Sequence, residues 1–282
     1  MSKTVILYHK GCSDGFGAAW AAWKKLGDKA TYIAVKYDEE PPKNLVGKRV
    51  YILDFCYPAE TIKHLSKITR SLVIIDHHFS RKKIIKSVPN YIYSEKNSGA
   101  ILAWQYFHPG KNIPKLIKYI EDIDLWKREL PHTNELCASL WSYDKDFKIW
   151  NKIAKDWETG RGRKHYLDEG KAMSKARKQV VEDAVRNSHS ATFLGHKARV
   201  SNSHVLASEI AHALLKKNKV SVGIVWYQKR DHIKVRLNSE GSVDVSKMAQ
   251  KFGDGGGHKH SAAFRLKLGQ KLPWKLISDN IS

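Results

Sequence analysis

The sequence predicts an α/β protein: an N-terminal parallel-sheet domain, a helical connector and a smaller α/β C-terminal domain. Three observations carry this expectation. Short apolar runs rich in β-branched residues alternate with helical patterns between Thr4 and Phe107, as in a parallel sheet covered on both faces. A long, charged, helix-forming stretch with little apolar face follows, which suits a connector. From Thr192 onward the pattern changes to closely spaced strands with turn residues between them. At 282 residues the chain is long enough for two cores. The expected divisions are residues 1–150, 151–190 and 191–282.

In chain order, residues 4–8 (TVILY) read as a buried strand that ends at His9 and a glycine-containing loop. Residues 17–26 (GAAWAAWKKL) are alanine-rich with lysines toward their end, which favours a helix. Residues 49–53 form the next strand and stop at Asp54, and residues 58–67 read as a helix. Residues 71–75 repeat the pattern and stop at Asp76; residues 98–107 read as a helix opened by a Ser98 cap. Residues 115–126 are a further helix with Asp122 and Asp124 near its end. Residues 147–185 read as helical, with a break at residues 159–162 (TGRG). Residues 220–227 and 232–237 pair as strands across a turn at 228–231. A helix at 245–252 leads into Gly253-Asp254-Gly255-Gly256-Gly257-His258, and the last strand lies at about 262–268. Trp20, Trp23 and Trp104 fall on helices as core residues, whereas Trp126 beside the acid pair is the better candidate to line a site.

The net charge is +22, with a sequence pI near 9.8. Residues 1–150 carry 24 basic against 16 acidic side chains, and residues 151–282 carry 26 against 12. Such a field attracts polyanions, although lysine-rich surfaces also serve solvation alone. No apolar run approaches the ~20 residues needed to span a bilayer. Cys12, Cys56 and Cys137 are an odd count without a CxxC pair, which argues against a disulfide framework. The N-terminus lacks a secretory pattern, and a cytoplasmic location is expected.

The chemistry lies where the strands stop. His9 with Asp14, then Asp54, then Asp76-His77-His78 all fall at the carboxyl ends of predicted parallel strands, where α/β sheets bind ligands. Asp122 or Asp124 adds a fourth acidic position. A single such residue is ordinarily a cap or turn former. Several carboxylates at one sheet edge repel one another unless a cation sits between them. Mixed imidazole and carboxylate donors suit Mn²⁺, Fe²⁺ or Zn²⁺ better than calcium, and two such ions can clamp an in-line displacement at phosphorus.

Five blocks together resemble the DHH phosphoesterase superfamily with a DHHA1-type C-terminal domain, which includes NrnA-type oligoribonucleases, RecJ-like exonucleases and cyclic-dinucleotide phosphodiesterases. They are residues 8–19 (YHKGCSDGFGAA), 50–58 (VYILDFCYP), 72–78 (LVIIDHH), 119–126 (YIEDIDLW) and 243–264 (VDVSKMAQKFGDGGGHKHSAAF), in the family's order. The resemblance implies two divalent metal ions, Mn²⁺ by preference. It implies Asp54 bridging them, His9 on one, and Asp14, His77 and Asp122 on the other, with Asp124 a capping or orienting residue or an alternative ligand. His78 would contact the scissile phosphate and Asp76 would orient the histidine pair. Cys12 stands where the family's first motif carries the first of two aspartates, as a weak ligand or a packing residue. In the C-terminal domain the resemblance implies substrate binding by Gly255, Gly256, Gly257 and His258, the glycines forming an anion nest. Arg236 lies two residues from the family's arginine position, on the same strand face.

The expected reaction is metal-activated hydrolysis of phosphodiesters in short single-stranded RNA or DNA, in a cleft between the domains. Two rivals stand beside it. One is hydrolysis of a small phosphate: a cyclic dinucleotide, a 3′-phosphorylated adenosine nucleotide or polyphosphate. The other is nucleic-acid binding by a degenerate metal site, which Cys12 favours and the remaining donors oppose. The oligomeric state stays open, a homodimer included.

Overall fold

The first apolar run becomes strand β1 (Thr4–His9), and its alternation sorts side chains between two layers. Val5 and Leu7 enter the core on one face of the sheet, and Ile6 the core on the other. In this computed structural model, which describes residues 3–36, 39–253 and 255–278, the chain forms two compact units, residues 1–174 and 175–282.

In the first unit, β1 is followed by helix α1 (Ser13–Leu26), β2 (Ala30–Val35), β3 (Arg49–Leu53), α2 (Ala59–Ile68), β4 (Ser71–Asp76), α3 (Lys82–Ile85) and β5 (Tyr91–Tyr93). Helices α4 (Gly99–Phe107), α5 (Lys115–Asp124), α6 (Thr133–Leu140), α7 (Phe147–Trp157) and α8 (Gly160–Arg186) complete the helical part of the chain's first two thirds. The sheet is wholly parallel, in the order β2-β1-β3-β4-β5. One face packs on α1, α4, α5 and α7 through residues such as Phe16, Trp20, Trp104, Ile120 and Trp150. The other face packs on α2 and α3 through Leu7, Ile52, Ile62, Leu65 and Ile85. Each fully buried aliphatic side chain here contributes roughly 1.5–3 kcal/mol of transfer free energy. The alanine face of α1 brings α1 close to α4, where Trp20 and Trp104 stack at 5.7 Å.

Helix α1 starts at Ser13, earlier than the alanine pattern suggests, because the Cys12 sulfur accepts the Gly15 N–H as an N-cap. The stretch expected as a connector is divided differently. Helix α7 buries Trp150, Ile153 and Trp157 in the first core. A break does fall between Trp157 and Gly160, where Thr159 Oγ1 accepts the Gly162 N–H. Helix α8 then gives Tyr166 to the first unit's core and Val185 to a cluster in the second.

The second unit holds β6 (His189–Phe193), β7 (His196–Asn202), α9 (Ala207–Asn218), β8 (Val222–Gln228), β9 (His232–Asn238), α10 (Val245–Gln250), β10 (Gly256–His258), β11 (Ser261–Lys267) and β12 (Trp274–Leu276). Its sheet has the order β10-β11-β9-β8-β7-β6-β12; only β7 and β8 run parallel. Phe193, Ile224, Val235, Leu237 and Phe264 pack with Met248 of α10, while Val225 packs with Ile210 and Leu214 of α9. Asp254, which interrupts the glycine run, lies outside the described residues. Among the described residues no helix is long and apolar enough to cross a membrane.

Candidate active site

The parallel register sets the site. Tyr8 of β1 lies beside Leu53 of β3, which lies beside Ile75 of β4. The next residue on each strand is therefore His9, Asp54 and Asp76, at one level across adjacent strands spaced about 4.8 Å apart. Asp54 leaves β3 in the left-handed region (φ 62°), which aspartate tolerates better than most residues. Its N–H still donates to the Ile75 carbonyl at 2.9 Å, so the turn begins without breaking the ladder. Such a conformation costs on the order of 1–3 kcal/mol and concentrates at functional sites.

The Asp54 carboxylate divides between two sets of donors. Oδ2 lies 3.3 Å from His9 Nδ1 and 3.2 Å from Cys12 Sγ, and those two atoms are 3.3 Å apart. Oδ1 lies 3.2 Å from His77 Nε2. His77 Nε2 is also 3.6 Å from Asp14 Oδ2 and 3.7 Å from Asp124 Oδ2. Asp14 sits in the first turn of α1 and accepts the Gly99 and Ala100 N–H groups at 2.7 and 2.9 Å. Those donors are orphans of the α4 N-terminus, capped beside them by Ser98. Gly99 is needed there: a Cβ would lie 2.7 Å from Asp54 Cβ and 3.0 Å from Asp14 Oδ2.

Asp76 holds the histidine pair. Its Oδ1 accepts from the His77 and His78 backbone N–H groups at 2.7 and 3.2 Å and lies 2.7 Å from His78 Nδ1. Burial works against an ionised Asp76, yet His78 outweighs it and lowers the carboxyl below its usual range. Burial likewise opposes a charged His78, and Asp76 outweighs that penalty to raise the imidazole.

The electrostatics of the centre follow from packing acids together. Burial, then Asp54 and Asp124, push the Asp14 carboxyl well above its ordinary value. Burial raises Asp124 too, with Asp54 adding to the rise. Burial also opposes ionised Asp54, but pairing with His77 and His9 holds it well below the usual range. Burial would depress His77; Asp54, with Asp124 and Asp14, reverses this and raises the imidazole to about 10. Burial, then Asp54 and Asp14, push the Cys12 thiol up.

These residues fit a cation. Asp54 Oδ1 is buried and accepts no aligned hydrogen bond among the described residues, although His77 Nε2 is near. Several groupings offer one donor atom per residue within 4.8 Å of one another, among them His9, Cys12 and Asp54, and Asp14, His77 and Asp124. A positive charge between them would relieve the mutual repulsion of the acids.

The structure places Asp122 and Asp124 in different surroundings. Asp122 is the more buried, but its oxygens accept from Glu129 N, Leu130 N and Thr133 Oγ1, anchoring the chain after α5. Asp124, at the C-terminal end of α5, is the acid that reaches His77. Where an anion nest is expected, the chain runs as a strand. Gly256, Gly257 and His258 pair in register with Ala263, Ala262 and Ser261 as strand β10. Gly257 (φ 142°) allows close approach, since a Cβ there would lie 2.5 Å from the Ser261 carbonyl oxygen. Gly255 precedes this strand. Arg236 lies on β9 opposite Ala263, the residue that also faces Gly256. Trp126 carries the Arg128 guanidinium 4.6 Å over its ring. Gly99 is a site residue that sequence reasoning misses, because its role is steric and depends on the contact of α1 with α4; the preceding Ser98 cap is the available signal.

Comparison with known proteins adds to this geometry. Residues 195–274, within the C-terminal unit, match the DHHA1 domain family. An uncharacterized protein of Acanthamoeba polyphaga mimivirus is 26% identical over 304 residues, covering 98% of this chain and 70% of that protein. Among solved structures, the DHH domain of a member of a family of ribosomal proteins aligns with a TM-score of 0.55 at 14% identity. That alignment covers 93% of this chain and 82% of the other, and it carries the fold assignment. An uncharacterized protein from Helicobacter pylori aligns over 96% of this chain and 94% of its own at 15% identity, with a TM-score of 0.47.

Proposed function

We propose that this chain, a DHH-type phosphoesterase with a DHHA1 domain at its C-terminal end, hydrolyses phosphodiester bonds of short single-stranded oligonucleotides with two divalent metal ions. The observation that carries the reading is the division of one carboxylate, Asp54, between two separate donor sets. His9 and Asp54 would hold one ion, and Asp14, Asp54, His77 and Asp124 the other. The donors are imidazole and carboxylate, which is compatible with Mn²⁺. When bound, such ions lower the pKa of water and neutralise charge on a phosphoryl group.

The chain's own residues account for the remaining roles. Asp76 fixes the backbone and ring of His78, whose side chain is partly exposed, so that its Nε2 points away from Asp76. A histidine whose imidazole is raised by that pairing can donate to a phosphate oxygen. Asp14, anchored by two backbone N–H groups, holds its oxygens in place with little freedom to relax. The net charge of +22 supports a polyanionic substrate. Gly256, His258 and Arg236 are the proposed substrate contacts of the DHHA1 domain.

Turnover of labelled short RNA and DNA with Mn²⁺ is expected for the wild type and lost in Asp54→Asn. Equal turnover in the two proteins would overturn the metal-site assignment. Activity confined to cyclic dinucleotides, 3′-phosphoadenosine nucleotides or polyphosphate would overturn the choice of substrate. Binding of oligonucleotide without turnover would favour a nucleic-acid-binding role.

A further inference from the structure

We propose that Cys12 binds metal through its sulfur, so that the two ions sit in unlike sites, a softer ion held by His9, Cys12 and Asp54 and a harder one by Asp14, Asp54, His77 and Asp124. This rests on the two-metal reading given above and specifies which ion each half accepts.

Geometry is the first argument. His9 Nδ1, Cys12 Sγ and Asp54 Oδ2 form a triangle with sides of 3.3, 3.2 and 3.3 Å. Zinc-like bonds of about 2.3 Å to sulfur and about 2.0–2.2 Å to nitrogen and oxygen place donors about 2.9–3.6 Å apart for angles between 90° and 109°. All three sides fall in that interval. The second argument is the company each cysteine keeps. Cys56 and Cys137 lie in the apolar cores and donate to the carbonyls of Tyr57 and Tyr119. Cys12 instead faces a carboxylate and an imidazole, beside the Asp54 carboxylate that also serves the second site.

The third argument concerns what else Cys12 does. Its sulfur caps α1 by accepting the Gly15 N–H at 3.1 Å. Capping alone would be served better by serine or aspartate, which rank above other residues at N-cap positions. The two donor sets then differ in kind: nitrogen, sulfur and one oxygen against three carboxylates and one imidazole. Soft thiolate selects zinc, cobalt or ferrous iron over manganese, whereas the oxygen-rich set accepts manganese or magnesium.

The test uses the full chain, stripped with a chelator and titrated with Co²⁺ while absorption is recorded. A sulfur-to-cobalt charge-transfer band in the near ultraviolet is expected as cobalt fills the site. Cys12→Ser keeps the helix cap and should abolish the band. It should also weaken Zn²⁺ or Co²⁺ binding by at least the ~10–100-fold that loss of even an outer-shell partner costs. Cys12→Asp should bind Mn²⁺ more tightly than the wild type and show no band. Cobalt bound by the wild type without the band would overturn the proposal while leaving the two-metal site standing. A band that persists in Cys12→Ser would place the sulfur elsewhere and also overturn it. Failure of the wild type to bind cobalt, zinc or manganese would overturn the two-metal reading itself, and this proposal with it. The wild-type spectrum decides the question even if a variant fails to fold.

Discussion

Replacing Gly99 with alanine perturbs the site through a single methyl group. The backbone of Gly99 is outside the positive-φ region, so alanine meets no conformational barrier there. Within an α-helix, alanine is even favoured over glycine by roughly 0.5–1 kcal/mol. Space is the obstacle. The added Cβ would lie 2.7 Å from Asp54 Cβ, 2.9 Å from Asp54 Oδ1 and 3.0 Å from Asp14 Oδ2, against an ordinary contact beginning at 3.4 Å. Relief requires about 0.7 Å of movement by two buried side chains, one of which is bonded to the Gly99 N–H itself. Overpacking costs typically 1–3 kcal/mol, so the net loss is at most about 2.5 kcal/mol after the helix gain. That corresponds to a fall in Tm of up to ~10 °C for a unit of this size. Function should suffer more than stability, because a displacement near 1 Å of positioned groups can cost about 100-fold in rate. The assay pairs thermal unfolding with Mn²⁺ titration and turnover. Unchanged metal affinity and turnover in Gly99→Ala would refute the claim that the α4 N-terminus sets the spacing of Asp14 and Asp54.

Three further outcomes test other parts of the structure. Asp122→Asn should lower Tm, since hydrogen bonds to a charged acceptor are worth ~1.5–3 kcal/mol, while metal affinity is retained; Asp124→Asn should weaken metal binding without lowering the Tm of the metal-free protein, and the reverse pattern would restore Asp122 as the ligand. In the metal-free protein, His77 is held protonated up to about 10, so its stabilising contribution is complete below an unfolded pKa of about 6.5 and is lost as pH rises through 10. Tm recorded with chelator should fall between neutral pH and 10, and a flat profile would count against its pairing with Asp54. Binding of single-stranded RNA should weaken steeply as salt rises, because a basic surface releases counterions on contact with phosphates; a flat response would indicate a small-molecule substrate.

The strands that build the site are legible in the sequence because their signal is local. Residues 50–53 and 72–75 are uninterrupted apolar runs that stop at acids, and they fold as strands there. Helix α9 carries no such signal. It begins after Leu206, in the left-handed region (φ 53°), with no side-chain cap to announce it. Strand β2 is equally faint: it is an edge strand whose middle residues are only partly buried, so its apolar pattern is weak. The glycine run before His258 looks like a turn because composition does not reveal a neighbouring strand. A Cβ at Gly257 would meet the Ser261 carbonyl of β11, and one at Gly255 the Ala249 carbonyl.

The acid pair on α5 shows how a motif can locate a site while the choice between two acids depends on the folded chain. Asp122 and Asp124 are two residues apart, roughly 200° around a helix, so one side chain facing His77 turns the other away. Sequence burial favours Asp122, since it shares its neighbourhood with Tyr119 and Ile120 on the apolar side of α5. That burial is satisfied by the returning chain at Glu129, Leu130 and Thr133, a contact formed only because the segment after α5 doubles back. Three protein donors already engage the Asp122 carboxylate, whereas Asp124 keeps an oxygen 3.7 Å from His77 Nε2 at the helix end. Its position beside His77 therefore makes Asp124 the proposed ligand, while Asp54 Oδ1 accepts no aligned hydrogen bond among the described residues.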